Sequence, residues 1–185
     1  MLIGLLLLAC LLSVPLAGGR LGALADLRLR APSLAFIALA LQVVIVTLVP
    51  GGAPWIHRLA HLTSYALLAA FLIANRRVPY LWFAGLGGAL NVLAIVANGG
   101  VMPASARALA AAGIRLDPSE FLNSTALRHP HLLALGDVFA VPTWLPVQNV
   151  FSLGDVLIVV AAFLALHRIC GSRLPGRRVA PAEVG

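Results

Sequence analysis

Five apolar runs, separated by short polar turns, dominate the chain: Leu2 to Ala17, Leu34 to Val49, His61 to Ala74, Tyr80 to Ala97 and Phe151 to Leu166. A helix that crosses a bilayer needs about 20 predominantly apolar residues, with a range of about 17 to 25. These runs sit at or below that length. Of the 185 residues, 61% are hydrophobic and only 10% are charged, and the mean hydropathy is +1.01. That composition excludes an ordinary soluble domain. It predicts an all-α fold: a polytopic transmembrane helix bundle of about five spans with a small helical outer cap. The bundle is expected to be one domain over residues 1–170, with the cap at 99–150 and a disordered cytoplasmic tail at 171–185.

Arginine supplies the orientation. All 13 basic residues are Arg, against six acidic ones. Arg20, Arg28, Arg30, Arg76, Arg77, Arg168, Arg173, Arg177 and Arg178 fall on one side of the expected bundle. Arg58, Arg107, Arg115 and Arg128 fall on the other, offset by Asp117, Glu120, Asp137 and Asp155. An excess of positive charge marks the cytoplasmic side, so the expectation is a multi-pass plasma-membrane protein with its N-terminus outside. The net charge of +7 then reflects topology. No basic stripe with interleaved aromatics points to nucleic acid.

Local signals refine the reading. Leu7-Leu-Ala-Cys10 looks like a lipoprotein cleavage box but has no positive segment before it. Cys10 and Cys170 are expected at different depths, which predicts no disulfide. His57, His61 and Tyr65 share one helix face. Two histidines at i, i+4 lack a third ligand, so no metal and no cofactor is expected. Gly85, Gly87 and Gly88 predict close helix contact, and Asn91 can bond across helices. Asn98-Gly-Gly should end the fourth run sharply. In the outer segment, Pro103 opens one short helix that stops at Gly113. Asp117-Pro-Ser-Glu120 opens a second that runs to about Leu127. Ile114, Leu116, Phe121, Leu122, Leu132, Leu133 and Leu135 need cover, which predicts a cap lying on the membrane over the bundle mouth.

The chemistry is concentrated in Asp137 and Asp155. They flank a Pro/Trp-rich turn where the last run begins, and an acid at a membrane edge is a functional candidate. If they approach one another, the ionised one can activate water while a protonated partner polarises a carbonyl. The same residues admit a structural reading. Ser152-Leu-Gly-Asp155 is a capping box, and a carboxylate in the first turn complements the helix end by about 0.3–1 kcal/mol. Asn98, Ser152 and Arg128 are candidate substrate contacts.

Asn98-Gly-Gly-Val-Met-Pro-Ala-Ser105, Leu135-Gly-Asp-Val138 and Val150-Phe-Ser-Leu-Gly-Asp-Val-Leu-Ile158 closely resemble an uncharacterised family of small bacterial membrane proteins, a domain of unknown function. That resemblance covers nearly the whole chain and implies five spans but no activity. Asp137-Val-Phe139 and Phe151-Ser-Leu-Gly-Asp155 also resemble the two catalytic motifs of signal peptidase II, over about thirty residues. The family's Asn in the second motif is Ser152 here, and its Gly-Asn-x-x-Asp-Arg motif has no counterpart. Ile56-His-Arg-Leu-Ala-His-Leu-Thr-Ser-Tyr65 is similar to a helix opening in VanZ-like membrane proteins.

Two functions follow as expectations. One is an integral membrane protein that binds a lipid or membrane partner at its outer face. The other is an intramembrane aspartyl hydrolase that uses Asp137 and Asp155 on a lipid or membrane-peptide substrate. A proton-coupled transporter fits less well, because charged residues are absent from the run centres and no inverted repeat is evident.

Overall fold

A computed structural model describes residues 2–48, 54–114 and 124–173. Four helices come first: α1 (Leu2–Leu16), α2 (Pro32–Leu48), α3 (Pro54–Ala74) and α4 (Leu81–Ala97). The segment that follows holds β1 (Met102–Pro103), the short α5 (Ala106–Ala111), β2 (Ser124–Thr125), β3 (Asp137–Ala140) and β4 (Val150–Ser152). The last helix is α6 (Leu153–Ile169).

The transmembrane expectation is overturned. Among the described residues no helix is long and apolar enough to cross a membrane. The helix α1 has 15 residues, and α2, α4 and α6 have 17 each. At a rise of 1.5 Å per residue, 17 residues reach about 26 Å, short of the roughly 30 Å hydrocarbon core. At 21 residues α3 is long enough, but it opens on His57, Arg58 and His61. The multi-pass plasma-membrane location and the orientation read from arginine lose their basis with the spans. High apolar content is a weak guide to span length, because it counts residues without asking where helices stop.

Those stops are local and physical. The helices α1, α4, α5 and α6 each run into a glycine with positive φ: Gly18, Gly99, Gly113 and Gly171. At α4, the Gly99 N–H donates to the Val96 carbonyl at 3.2 Å and the Gly100 N–H to the Ile95 carbonyl at 2.8 Å. This pairing closes the last turn, and it requires a left-handed residue that glycine adopts without a Cβ clash. Pro32 and Pro54 open α2 and α3 at the position where a missing N–H costs no helix hydrogen bond.

Packing follows small residues and apolar seams. The most extensive contact joins α4 to α6, then α2 to α3, then α1 to α6, while α3 meets α4 far less. A Cβ on Gly87 would lie 2.5 Å from the Gly154 carbonyl oxygen, so the α4–α6 crossing exists only because both positions lack a side chain. Gln42 of α2 donates to the Ser64 hydroxyl of α3 at 2.9 Å, and Ser64 donates to the His61 carbonyl at 2.8 Å. At the far end of α6, buried His167 bonds Ser13 through Nε2 at 2.9 Å and Ser172 through Nδ1. The backbone bonds Arg20 N–H to Cys170 O and Arg173 N–H to Ala17 O tie the two helix ends together. Large apolar side chains also remain on the surface, among them Phe36 at 72% and Trp82 at 64% exposure.

The all-α expectation also needs correction at the cap. The strands β1 and β2 pair in parallel, with Met102 opposite Ser124. The strands β3 and β4 pair antiparallel, with Asp137 opposite Ser152 and an irregularity between Asp137 and Phe139. Within the described residues the cap has its own core of Ala104, Ala108, Leu109, Ala112 and Val150, and Ile114 packs on it. Leu135 packs on Ala94, Ile95 and Met102 instead. The expected second helix is not found at 124–125, which is β2, and its start at Asp117 lies outside the described residues. So do Leu116, Phe121 and Leu122, and all but 171–173 of the expected tail.

Candidate functional site

At its N-terminus α6 is held by a complete capping box. The Ser152 hydroxyl accepts from the Asp155 N–H at 3.0 Å, and Asp155 Oδ2 accepts from the Ser152 N–H at 3.0 Å. Asn91 of α4 closes the arrangement. Its Nδ2 donates to Asp155 Oδ1 at 2.8 Å, and its Oδ1 accepts from the Ser152 hydroxyl at 2.8 Å. Both carboxylate oxygens of Asp155 therefore hold a protein donor. Such a closed network fixes rotamers, because losing any member strands the others in a buried setting.

Asp137 arrives from the other direction. It sits on β3 between two neighbours: it pairs with Ser152 of β4 and forms a parallel bridge to Ala104. Its carbonyl accepts from the Ser105 N–H at 3.0 Å. Pro103, almost fully buried, backs the approach at Gly136, where a Cβ would strike the Pro103 carbonyl. Asp137 is 5% exposed.

Asp137 and Asp155 line the same cavity, of about 260 Å³, with His61, Tyr65, Asn91 and Asn149 as its other polar walls. Ile3, Ile95, Gly100, Met102 and Val150 complete it, so α1, α3, α4, the cap and α6 all contribute. The rings of His61 and Tyr65 stack with centroids 6.2 Å apart. Burial pushes the Tyr65 phenol above its usual 10.0, and the charges of Asp155 and Asp137 push it the same way. Tyr65 is therefore a hydrogen-bond donor at neutral pH, in a site whose potential is set by both carboxylates.

The five sequence candidates separate. Asp137, Asp155 and Ser152 converge, with Ser152 behind Asp155 as its cap. Asn98 is committed elsewhere: its Nδ2 donates to the Ala94 and His131 carbonyls at 2.7 Å each, and its Oδ1 accepts from the His131 N–H at 2.8 Å. Arg128 is exposed and does not line the cavity. The side chain of His57 lies outside what is described. Tyr65 and Asn91 carried a signal, helix-face spacing and a polar residue in an apolar run, but they read as packing groups. Asn149 carried none.

The profile of a family of unknown function (DUF5317) matches residues 26–167. No curated protein and no solved structure matches the chain. The likeness to signal peptidase II around the two aspartates finds no support in either comparison.

Proposed function

The chain belongs to the DUF5317 family, whose function is unknown, and from that premise we propose that it is a binding protein whose acidic cavity takes a small polar ligand bearing hydrogen-bond donors or a positive charge. One observation carries this reading: two carboxylates from separate elements line one cavity, and among the described residues neither Lys nor Arg lines it with them. A volume of about 260 Å³ lies just below the usual range of about 300–1,000 Å³ for small-molecule sites. Size and polar walls together favour a group the size of a lipid headgroup over an acyl chain or a peptide. The commitment of both Asp155 oxygens favours binding over acid–base turnover.

Thermal melting and calorimetry with ethanolamine, putrescine and acetate test it. We expect a saturable rise in Tm with one of the amines, absent with acetate and lost in Asp137→Asn. No shift with either amine, or an equal shift in Asp137→Asn, would sink the proposal.

A second reading, hydrolysis by Asp137 and Asp155, is favoured by the presence of both carboxylates and the protonated Tyr65 in one cavity. It requires turnover of a fluorogenic ester or peptide that Asp137→Asn abolishes while the melt stays cooperative. Equal turnover in the variant would remove it.

A further inference from the structure

We infer a second binding site, for a phosphate group carrying two or more negative charges, at the C-terminal end of α3. There, Arg28, Arg30, Arg76 and Arg77 line one cavity of about 310 Å³ with Asn75 and Val78, and among the described residues no carboxylate shares the lining. All four arginines are exposed at the surface. Among the described residues none of them forms a hydrogen bond or ion pair through its guanidinium.

The cluster is held together by a buried device. Asn75 is 4% exposed. Its Oδ1 accepts from the Arg30 N–H at 2.8 Å, and its Nδ2 donates to the Arg30 carbonyl at 2.9 Å and to the Phe71 carbonyl at 2.8 Å. The loop that carries Arg28 and Arg30 is thus fastened to the turn that carries Arg76 and Arg77. That turn is itself closed by the Val78 N–H donating to the Asn75 carbonyl at 2.8 Å. Ala31 and Tyr80 hold positive φ on either flank, at 46° and 61°. Strained non-glycine residues persist where the surroundings over-determine them, and they cluster at ligand sites.

Electrostatics gives the ligand. Four like charges fixed around one cavity repel, and a polyvalent anion reverses the sign of that interaction. Guanidinium is a planar fork of donors that matches phosphate oxygens two at a time. The volume accommodates a diphosphate or a phosphate ester. Arginines that the linear pattern assigned to membrane topology therefore have a ligand-binding account.

Calorimetry on the full chain with sodium pyrophosphate, against sodium chloride at matched ionic strength, tests the site. A parallel arm floats the protein with phosphatidylcholine vesicles with and without phosphatidic acid. We expect saturable pyrophosphate binding, weakened on the order of tenfold in Arg30→Gln/Arg76→Gln, since charge-assisted bonds are the strong ones. The exposed arginines leave the fold intact, as circular dichroism will show. Asn75→Ala, with all four arginines present, should also weaken binding. Arginine-dependent flotation on phosphatidic acid identifies a lipid headgroup as the source, and pyrophosphate binding alone identifies a soluble phosphate. No binding in either arm, or binding unchanged in Arg30→Gln/Arg76→Gln, overturns the site.

Discussion

Tyr65 is the residue on which the acidic cavity can be read most directly. Its phenol is held above 10.0 by burial, Asp155 and Asp137, in that order. Below pH 10 the folded and unfolded chains both keep the proton. Above it the unfolded chain releases first, so stability falls as pH rises from about 10 toward the folded value. The thiols of Cys10 and Cys170, pushed above 9.0 chiefly by burial, act in the same direction from a lower pH. The Tyr65 share is therefore the difference between wild type and Tyr65→Phe in denaturant melts at pH 9 to about 11. The phenolate absorbance lost in Tyr65→Phe should titrate above 10.0, and a midpoint at or below that value would remove Tyr65 from the field of the carboxylates. Ser152 offers a second residue-scale test. Ser152→Ala removes the acceptor of the Asp155 N–H and the donor to Asn91, and should cost about 0.5–2 kcal/mol in urea denaturation.

Between elements, two contacts hold what the site requires. A Cβ on Gly154 would strike Asn91 Oδ1 and lie 2.5 Å from the Gly87 carbonyl oxygen. Gly154→Ala must push α4 off α6 or turn Asn91 away from Asp155. We expect a loss of about 1–3 kcal/mol, measured by the urea midpoint, and weaker binding in the acidic cavity. The second device is an asparagine that grips the N–H and C=O of one distant loop residue. Asn75 holds Arg30 and Asn98 holds His131 in the same way. In each case the gripped residue precedes a non-glycine residue with positive φ, Ala31 or Leu132. Asn75→Ala should destabilise by about 1–3 kcal/mol, because part-buried peptide groups lose a partner, and Asn98→Ala by about 0.5–1.5 kcal/mol, because its bonds to His131 are exposed to water. A circular-dichroism melt unchanged in both would show that the turns hold without them.

Across the whole molecule, cohesion is uneven. The helices α1, α4 and α6 form one well-packed group and α2–α3 another, and the α3–α4 contact between them is thin. Native-state hydrogen exchange should therefore protect the central amides of α4 and α6 most and those of α2 less, since regions with fewer tertiary contacts open first. Equal protection across α2, α4 and α6 would contradict that partition. Charge is also divided along α3: His61 and Tyr65 in its middle turns share a cavity with Asp137 and Asp155, and its last turn meets four arginines. Ten residues separate Tyr65 from Asn75, about 15 Å along the axis, so the two cavities are distinct sites, one beside the middle of α3 and one at its C-terminal end.

Much of the helix pattern was legible from residue order. Glycine after each of four helices, proline at the start of two and the Ser152–Asp155 capping box are local devices, and their geometry depends on residues within one turn. For the same reason Ser152 and Asp155 were found together. Hydropathy misled on the spans, because it averages over a run while the helices end at their own stop signals. The strands escaped notice because each has at most four residues, too few for an alternation to register. The bonds of Asn98 to His131 were not legible, because that partner is 33 residues away. Tertiary structure alone brought Asp137 to Asp155 and Arg30 to Arg76. Both juxtapositions depend on a close glycine crossing or a buried asparagine linking segments far apart in the chain, and no local pattern encodes which distant partner is met.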